Sequence, residues 1–146
     1  MLADDYCICS KINLKNKKMN QQAFLSGISP LIPGGEDLEK TVIFYEKKLG
    51  FKRIHQEGNP IYMAIVQRDN VQIFLLKKED KQVAKETSLR INVNHIEQLY
   101  EELKANGGEI IHPEGKLETK PWGVKEFVVL DPMGVCLTFC ELLNQQ

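Results

Sequence analysis

The sequence predicts an α+β protein in which one βαβββ unit occurs twice. Three observations predict this fold: an internal repeat at an offset of 58 residues, two segments with apolar residues at helical spacing, and short apolar runs separated by turn residues. The chain has 146 residues, of which 42% are hydrophobic and 27% charged, and this size and composition are typical of a single globular unit.

The repeat is clearest at the two predicted helices and at the glycines that end them. It pairs Asp37 with His95 and Gly50 with Gly108. Asp37 is a favourable helix N-cap, and apolar residues recur every three or four positions after it until Gly50 ends the helix. The second helix is predicted to open at Asn94 or His95 and to stop before Gly108. Each helix therefore has one apolar side to bury.

Each helix is preceded by one predicted strand and followed by three. In the first unit we predict strands at about 28–32, 51–56, 61–68 and 71–77, and in the second at about 88–94, 109–112, 124–130 and 135–141. Two such units, each with one sheet face covered by its own helix, leave the other faces free to curve around a shared cleft. We predict one domain over residues 27–142, with modules of about 27–78 and 87–142. The polar, aperiodic residues 1–26 are predicted to be a flexible extension.

Charge and hydropathy exclude several classes of function. The net charge of −1 supplies no electrostatic attraction for nucleic acid or an acidic membrane surface. No apolar run is long enough to span a bilayer, and the N-terminus lacks the apolar segment of a secretory signal, which predicts a cytoplasmic protein. The four cysteines, Cys7, Cys9, Cys136 and Cys140, include no C-x-x-C pair and are predicted to be free thiols.

Two segments resemble the vicinal-oxygen-chelate superfamily, which groups glyoxalases, ring-cleaving dioxygenases and bleomycin-resistance proteins. They are D-L-E-K-T-V-I-F-Y-E-K-K-L-G-F at 37–51 and W-G-V-K-E-F-V-V-L-D-P-M-G-V-C at 122–136. The second contains a predicted hairpin turn with proline at its second position and glycine at its fourth. The resemblance covers about residues 27–141 and is greatest to the bleomycin-resistance proteins. It implies paired βαβββ modules, a curved mixed sheet around a cleft, and a homodimer.

The resemblance also implies where catalytic members of the superfamily hold a divalent cation. The four ligand positions correspond here to Ser29 or Pro30, Phe74, Ser88 and Thr138. None of these side chains carries a carboxylate or an imidazole, and metal sites need several such donors around the ion. His55, His95 and His112 have no ligand-like spacing. The sequence therefore predicts neither a metal nor another cofactor.

The alternation of side chains along a strand predicts the wall of the cleft. If Ser88 and Thr138 face inward, Arg90 and Asn92 face inward as well. Such a wall offers hydroxyl and amide groups beside one guanidinium, and it suits an organic ligand better than a metal ion. An unpaired Arg90 would favour an anionic ligand group. If Arg90 is instead paired with Glu126 or another acid, the wall is electrically neutral.

Trp122 is the only tryptophan and lies in a Pro-Trp-Gly turn. In bleomycin-resistance proteins the tryptophan of this motif helps to form the cleft for a cationic drug, and Glu126 and Phe127 stand at the positions of the motif's following E-F pair. Trp122 is therefore predicted to contact the ligand; the alternative is that it plugs the end of the sheet. Tyr62 and Phe74 are also candidates, either as ligand contacts or as core residues.

The function predicted from the sequence is that of a non-enzymatic homodimer that binds and sequesters a small drug-like or antibiotic-like molecule. The predicted ligand-binding residues are Trp122, Arg90, Phe74, Ser88, Asn92, Thr138, Tyr62 and Glu126, and no catalytic residue is predicted. Two alternatives remain open. One is a metal-dependent enzyme of the same superfamily, such as a lyase, isomerase, dioxygenase or antibiotic-modifying transferase. The other is a module that only dimerises or regulates.

Overall fold

The computed structural model describes residues 22–144, which form two four-stranded sheets with helices on one face of each. The first sheet contains β1 (Leu31–Pro33), β2 (Lys52–Gly58), β3 (Ile61–Arg68) and β4 (Val71–Leu76); the second contains β5 (Ser88–Asn92), β6 (Glu118–Lys120), β7 (Val124–Leu130) and β8 (Cys136–Leu142). The strand orders are β1-β4-β3-β2 and β5-β8-β7-β6. In each sheet the first strand runs parallel to its neighbour and the other pairs are antiparallel. The predicted α+β class and the repeated βαβββ order are confirmed.

The N-termini of the two long helices are capped in different ways. The helices are α1 (Leu38–Lys47), α2 (Lys81–Glu86) and α3 (Ile96–Ala105). At α1 the Asp37 side chain accepts the backbone N–H of Lys40 at 3.1 Å, as expected of an N-cap. At α3 the preceding His95 has φ +63° and makes no side-chain cap. The Glu141 carboxylate from β8 caps this helix instead, because it accepts the backbone N–H groups of His95 and Ile96, both at 2.9 Å.

One continuous core lies between the helices and the covered sheet faces. It includes Ile32, Leu38, Val42, Tyr45, Val66, Ile73 and Leu75 from the first module and Ile91, Ile96, Leu103, Phe127, Val129, Leu137 and Phe139 from the second. Each fully buried side chain of this kind contributes about 1.5–3 kcal/mol to folding. The residues that alternate with these along the strands lie on the opposite, helix-free side, which we call the open face of each sheet.

The modules are joined through polar contacts as well as through the core. The Tyr45 hydroxyl donates to the Asp131 carboxylate at 2.9 Å, and both residues are buried. On the other side of the molecule the Arg68 guanidinium bridges from β3 to the Glu102 carboxylate of α3 through two bonds of 2.9 Å. These contacts hold the two modules together as one unit.

The strand predicted at 109–112 is wrong. Gly108–Ile110 form a 3-10 helix, and Ile111 makes only an isolated bridge to Val129. Pro113 lacks a backbone N–H and cannot extend the pairing. The edge strand of the second sheet is β6, a polar segment without an alternating apolar pattern. The short helix α2, which links the modules and is capped by Asp80, is an addition to the predicted unit.

The start of the first strand also differs from its predicted position. β1 begins at Leu31 and not near residue 28, and residues 22–30 form neither helix nor strand. Cys7, Cys9 and most of the predicted extension lie outside the described residues. Cys136 and Cys140 are free thiols, one half-buried and one buried. No helix within residues 22–144 is long and apolar enough to cross a membrane.

Candidate ligand-binding faces

Five of the predicted ligand-binding residues lie on the open face of the second sheet. Arg90 of β5 pairs with Thr138 of β8, and Asn92 pairs with Cys140, which in turn pairs with Glu126 of β7. The intervening residues of these strands belong to the core, so these side chains point away from it. Ser88 stands two positions before Arg90 on the same face. The predicted alternation of the strands is therefore realised here.

Arg90 is paired with an acid on this face. Its Nη2 donates to the Glu126 Oε2 at 2.8 Å, and this hydrogen bond raises the pKa of Arg90 above its ordinary value. The Arg90 side chain is 55% exposed, whereas that of Glu126 is only 14% exposed. On the adjoining β6, the Lys120 ammonium bonds the Glu118 carboxylate at 2.7 Å. Two cations and two anions thus offset one another, so the neutral alternative for this wall applies.

The strand register also locates the first-sheet counterpart of this face. Leu31 of β1 pairs with Phe74 of β4, as Arg90 pairs with Thr138 in the second sheet. Because Phe74 and Thr138 are equivalent positions of the two hairpins, Leu31 is the counterpart of Arg90. The residue two positions earlier, equivalent to the first residue of β5, is Ser29. The register therefore selects Ser29 from the two positions left open by the sequence.

The centre of the first open face is apolar and uncharged. Phe74 pairs with Ile65, and Met63 lies two positions before Ile65 on the same strand; all three are half-buried. The Ser29 hydroxyl donates to the Gln72 side-chain oxygen at 3.4 Å, which brings Ser29 beside this surface. The two modules therefore present chemically different faces, one apolar and one with paired charges.

Trp122 and Tyr62 both lie at the margins of the sheets. Trp122 is 66% exposed, in the turn between β6 and β7, so it does not act as a plug within one chain. Tyr62 is 52% exposed, and its hydroxyl donates to the Glu57 carboxylate at 2.6 Å, which places it outside the core. Both side chains are accessible, and a role for either in ligand contact remains a prediction.

Within residues 22–144, no group of three His, Cys, Asp or Glu side chains is arranged to hold a metal ion. His55 lies 3.3 Å from the Glu57 carboxylate, and His112 Nδ1 accepts the backbone N–H of Glu114 at 3.2 Å. Glu141 is directed to the start of α3 and not to the open face, as its position on β8 predicts.

The open faces are not enclosed within a single chain. Leu31 on the first face is 60% exposed and Leu130 on the second is 40% exposed. A separate cavity of about 420 Å³ lies between the modules, and Asn92 is the only predicted ligand-binding residue that lines it. No sequence pattern indicates the walls of this cavity, because they come from packing between the modules.

Paired βαβββ modules with open sheet faces define a class of proteins, and comparison with known families identifies it. A model of the Glyoxalase/Bleomycin resistance protein/Dioxygenase superfamily matches residues 33–139. The chain belongs to this superfamily. The bleomycin resistance protein of Geobacillus stearothermophilus is 30% identical to it over 132 residues, which cover 79% of this chain and 96% of that protein. The bleomycin resistance protein of Staphylococcus aureus gives the same values.

Solved structures share the fold at lower sequence identity. The bleomycin resistance determinant encoded on the transposon Tn5 superposes with a TM-score of 0.67 at 23% identity, covering 81% of this chain and 98% of that one. The bleomycin-binding protein from Streptomyces verticillus complexed with copper(II)-bleomycin has a TM-score of 0.63 at 22% identity, covering 84% and 100%. These structures support the architecture described above.

Proposed function

We propose that this protein binds and sequesters an amphipathic antibiotic of the bleomycin kind, as a cytoplasmic homodimer and without chemical conversion of the drug. The observation that carries the proposal is the open face of the second sheet, where hydroxyl and amide groups surround the Arg90–Glu126 pair. The bleomycin resistance proteins that match most of the chain at 30% identity support the same function.

The charge pairing determines which ligands this face accepts. An uncompensated guanidinium would repel a cationic drug, but the Arg90 charge is neutralised by Glu126 at 2.8 Å. Selectivity then comes from apolar burial, aromatic contact and neutral hydrogen bonds. The half-buried Phe74 on the first open face and the exposed Trp122 supply the aromatic surfaces.

A second copy of the chain is required to enclose such a ligand. Binding sites commonly bury 70–90% or more of a drug-sized molecule, and a sheet face exposed on one side provides only one wall. Phe24, Ile28 and Leu31 are 83%, 91% and 60% exposed close to the edge strand β1, and apolar surface of this kind is typical of a contact between chains. We therefore expect two chains to form the binding cavity together.

Isothermal titration calorimetry of the full chain with metal-free bleomycin and with copper(II)-bleomycin tests the proposal. We expect saturable binding with a dissociation constant of about 1 μM or lower, corresponding to about −8 kcal/mol. Mass spectrometry after incubation should recover the drug unchanged. Absence of saturation up to about 100 μM, or conversion of the drug that EDTA abolishes, would refute sequestration.

A pair of crowding variants assigns the binding to the open face. Ser88→Trp places a large side chain on that face beside β8, whereas Glu79→Trp alters an exposed loop residue. We expect Ser88→Trp to raise the dissociation constant at least tenfold, or about 1.4 kcal/mol, and Glu79→Trp to leave it unchanged. Equal affinity in both variants would move the ligand to another surface.

A further inference from the structure

The two modules contact each other at two junctions, which occupy equivalent positions in the internal repeat. Different side chains pack at the two junctions. At the first junction the turn between β7 and β8 places Met133 against Gly35. A Cβ atom added at Gly35 would lie 2.7 Å from Met133 Sδ, so the contact is close. The buried hydrogen bond from Tyr45 to Asp131 closes the same junction. This contact and this hydrogen bond link the two modules at the first junction.

The second junction is built on a shorter turn. Arg68 of β3 pairs with Val71 of β4, so only residues 69 and 70 form that turn. In the second module Leu130 pairs with Cys136, so residues 131–135 form the turn. The shorter turn has no residue equivalent to the methionine that fills the first junction. Leu103, the repeat counterpart of Tyr45, also has no hydroxyl with which to bridge the modules.

The result is the cavity of about 420 Å³ between the modules. Its apolar floor consists of Phe51, Val71, Ile91, Val93, Leu99 and Phe139. Phe51, Ile91 and Phe139 are buried core residues, so the floor is held rigidly. Small-molecule pockets commonly have volumes of about 300–1,000 Å³ and occur between structural units. Both the size and the place of this cavity therefore suit a small ligand.

The guanidinium that lines the cavity is not available to an anion. The Arg68 guanidinium already donates to the Glu102 carboxylate at 2.9 Å and to the Leu49 carbonyl at 2.6 Å. Asp69 stands at the mouth with its side chain 90% exposed and disfavours the approach of negative charge. A neutral ligand needs no free cation and is not repelled by Asp69.

We propose that this junction cavity binds a neutral aromatic molecule that carries an amide or similar hydrogen-bonding group. Its ring would lie on the apolar floor and its polar group would face the exposed amides of Asn94 and Gln98. Among the described residues neither amide side chain has a hydrogen-bond partner, so both are available to a ligand. The centre of the site lies on the other side of the sheet from the open face, because Ile91 and Phe139 point away from Arg90; of the open-face residues named above, only Asn92 borders the cavity.

The test uses two probes of matched shape and different charge, indole-3-acetamide and indole-3-acetate, titrated into the 15N-labelled full chain. We expect saturable shifts of the backbone amides of residues 68–71 and 93–99. Indole-3-acetate should bind roughly fivefold or more weakly, since its carboxylate is repelled by that of Asp69 and the Arg68 guanidinium is already paired with Glu102. A bleomycin titration is run in parallel, and it should leave these amides largely unshifted, which separates this site from the proposed antibiotic site.

Two tryptophan variants on α3 provide the control. Gln98 lines the cavity, whereas Glu101 is exposed on the same helix and lies outside the lining. We expect Gln98→Trp to weaken indole-3-acetamide binding roughly tenfold or more by occupying the space, and Glu101→Trp to leave it unchanged. The same spectra report whether each variant is folded. Absence of saturable shifts at these residues, shifts centred on Arg90 and Thr138, or unchanged affinity in folded Gln98→Trp would each overturn the proposal.

Discussion

Trp122 is exposed to 66% within the chain, which separates its contribution to stability from its contribution to binding. Because little of the indole is buried, we expect Trp122→Ala to change the free energy of unfolding by less than about 0.5 kcal/mol. If the indole contacts the drug, the variant should weaken binding by about 1–3 kcal/mol. Urea unfolding and calorimetric titration measure the two effects. A clear loss of stability with unchanged affinity would show that Trp122 is structural.

Substitutions of the two members of the Arg90–Glu126 pair should affect the binding of cationic bleomycin differently. Glu126→Gln leaves the Arg90 charge uncompensated, so we expect cationic bleomycin to bind several-fold more weakly at low salt, by about 1 kcal/mol. Arg90→Gln removes the cation and retains the carboxylate, so it should not weaken the binding of a cation. Calorimetric titration of both variants at low and high salt measures the difference. An equal loss in both would indicate that the geometry of the pair, and not its charge, matters.

At the scale of elements, the parts predicted well are those with strong periodicity. The strands at 61–68 and 124–130 agree with their predicted bounds, since alternating apolar residues match one buried sheet face. The edge strand β6 could not be predicted, because its three polar residues gain their structure from pairing with β7. The start of α3 at His95 agrees with the prediction, but the carboxylate that caps it was not predictable, because Glu141 lies 46 residues from His95 in the sequence.

The long-range cap of α3 makes the helix depend on β8. Glu141→Ala removes the acceptor for two N–H groups at the helix start, and we expect a loss of about 1 kcal/mol in the free energy of unfolding at pH 7. Glu79→Ala, at an exposed loop position, serves as the control and should change it little. Urea unfolding checks both values. A loss no greater than that of the control would mean that solvent replaces the cap at no cost.

The same cap should respond to acid. The backbone N–H groups of Ile96 and His95 hold the pKa of Glu141 below its ordinary value. A carboxylate with a lowered pKa in the folded state stabilises it above the unfolded pKa of about 4.3, and this contribution is lost as the pH falls through the folded value. The stability difference between the wild type and Glu141→Ala should therefore shrink below about pH 4. A difference that stays constant to pH 2.5 or so would contradict this account.

At the scale of the whole molecule, the candidate site was predictable in part. Alternation along β5 predicts that Ser88, Arg90 and Asn92 share a face, since it needs only the parity of one strand. Whether Glu126 would reach Arg90 depends on the register across three strands, and that register is set by the hairpin turns. The junction cavity depends on two turn lengths and on how the modules pack. Such features arise from tertiary contacts that no local pattern encodes.

The Tyr45–Asp131 hydrogen bond joins the modules, and it should make stability sensitive to high pH. Burial, together with the neighbouring Asp131 carboxylate, raises the pKa of Tyr45 well above its usual value. A raised pKa in the folded state means that the stabilisation is complete below the unfolded pKa of about 10 and is lost as the pH rises beyond it. We expect Tyr45→Phe to cost about 1–3 kcal/mol at pH 7 and to show a smaller loss of stability between about pH 10 and 11.

Urea unfolding from neutral to alkaline pH measures this dependence, and Tyr62→Phe is the matched control. The Tyr62 phenol is 52% exposed, so its removal should leave most of the alkaline loss in place. If Tyr45→Phe and the wild type lose stability in parallel above pH 10 or so, ionisation of Tyr45 does not contribute and the junction is held by packing alone.

The association of two chains is the property on which the enclosed antibiotic site depends. Leu31 is 60% exposed on the edge strand β1, whereas Ile43 is 45% exposed on α1, on the helical side of the same module. An aspartate buried at a contact between chains would lose its hydration without a partner, at a cost of several kcal/mol. We expect Leu31→Asp to be monomeric by light scattering and Ile43→Asp to remain a dimer.

Bleomycin binding should be lost in the monomeric variant and kept in the dimeric one. A site formed by two chains loses one wall on dissociation, so Leu31→Asp should bind the drug at least roughly a hundredfold more weakly, equivalent to about 2.7 kcal/mol, and Ile43→Asp should bind it normally. A monomeric Leu31→Asp that still binds bleomycin tightly would show that one chain suffices for the site. A dimeric Leu31→Asp would show that β1 lies outside the interface and that another surface joins the chains.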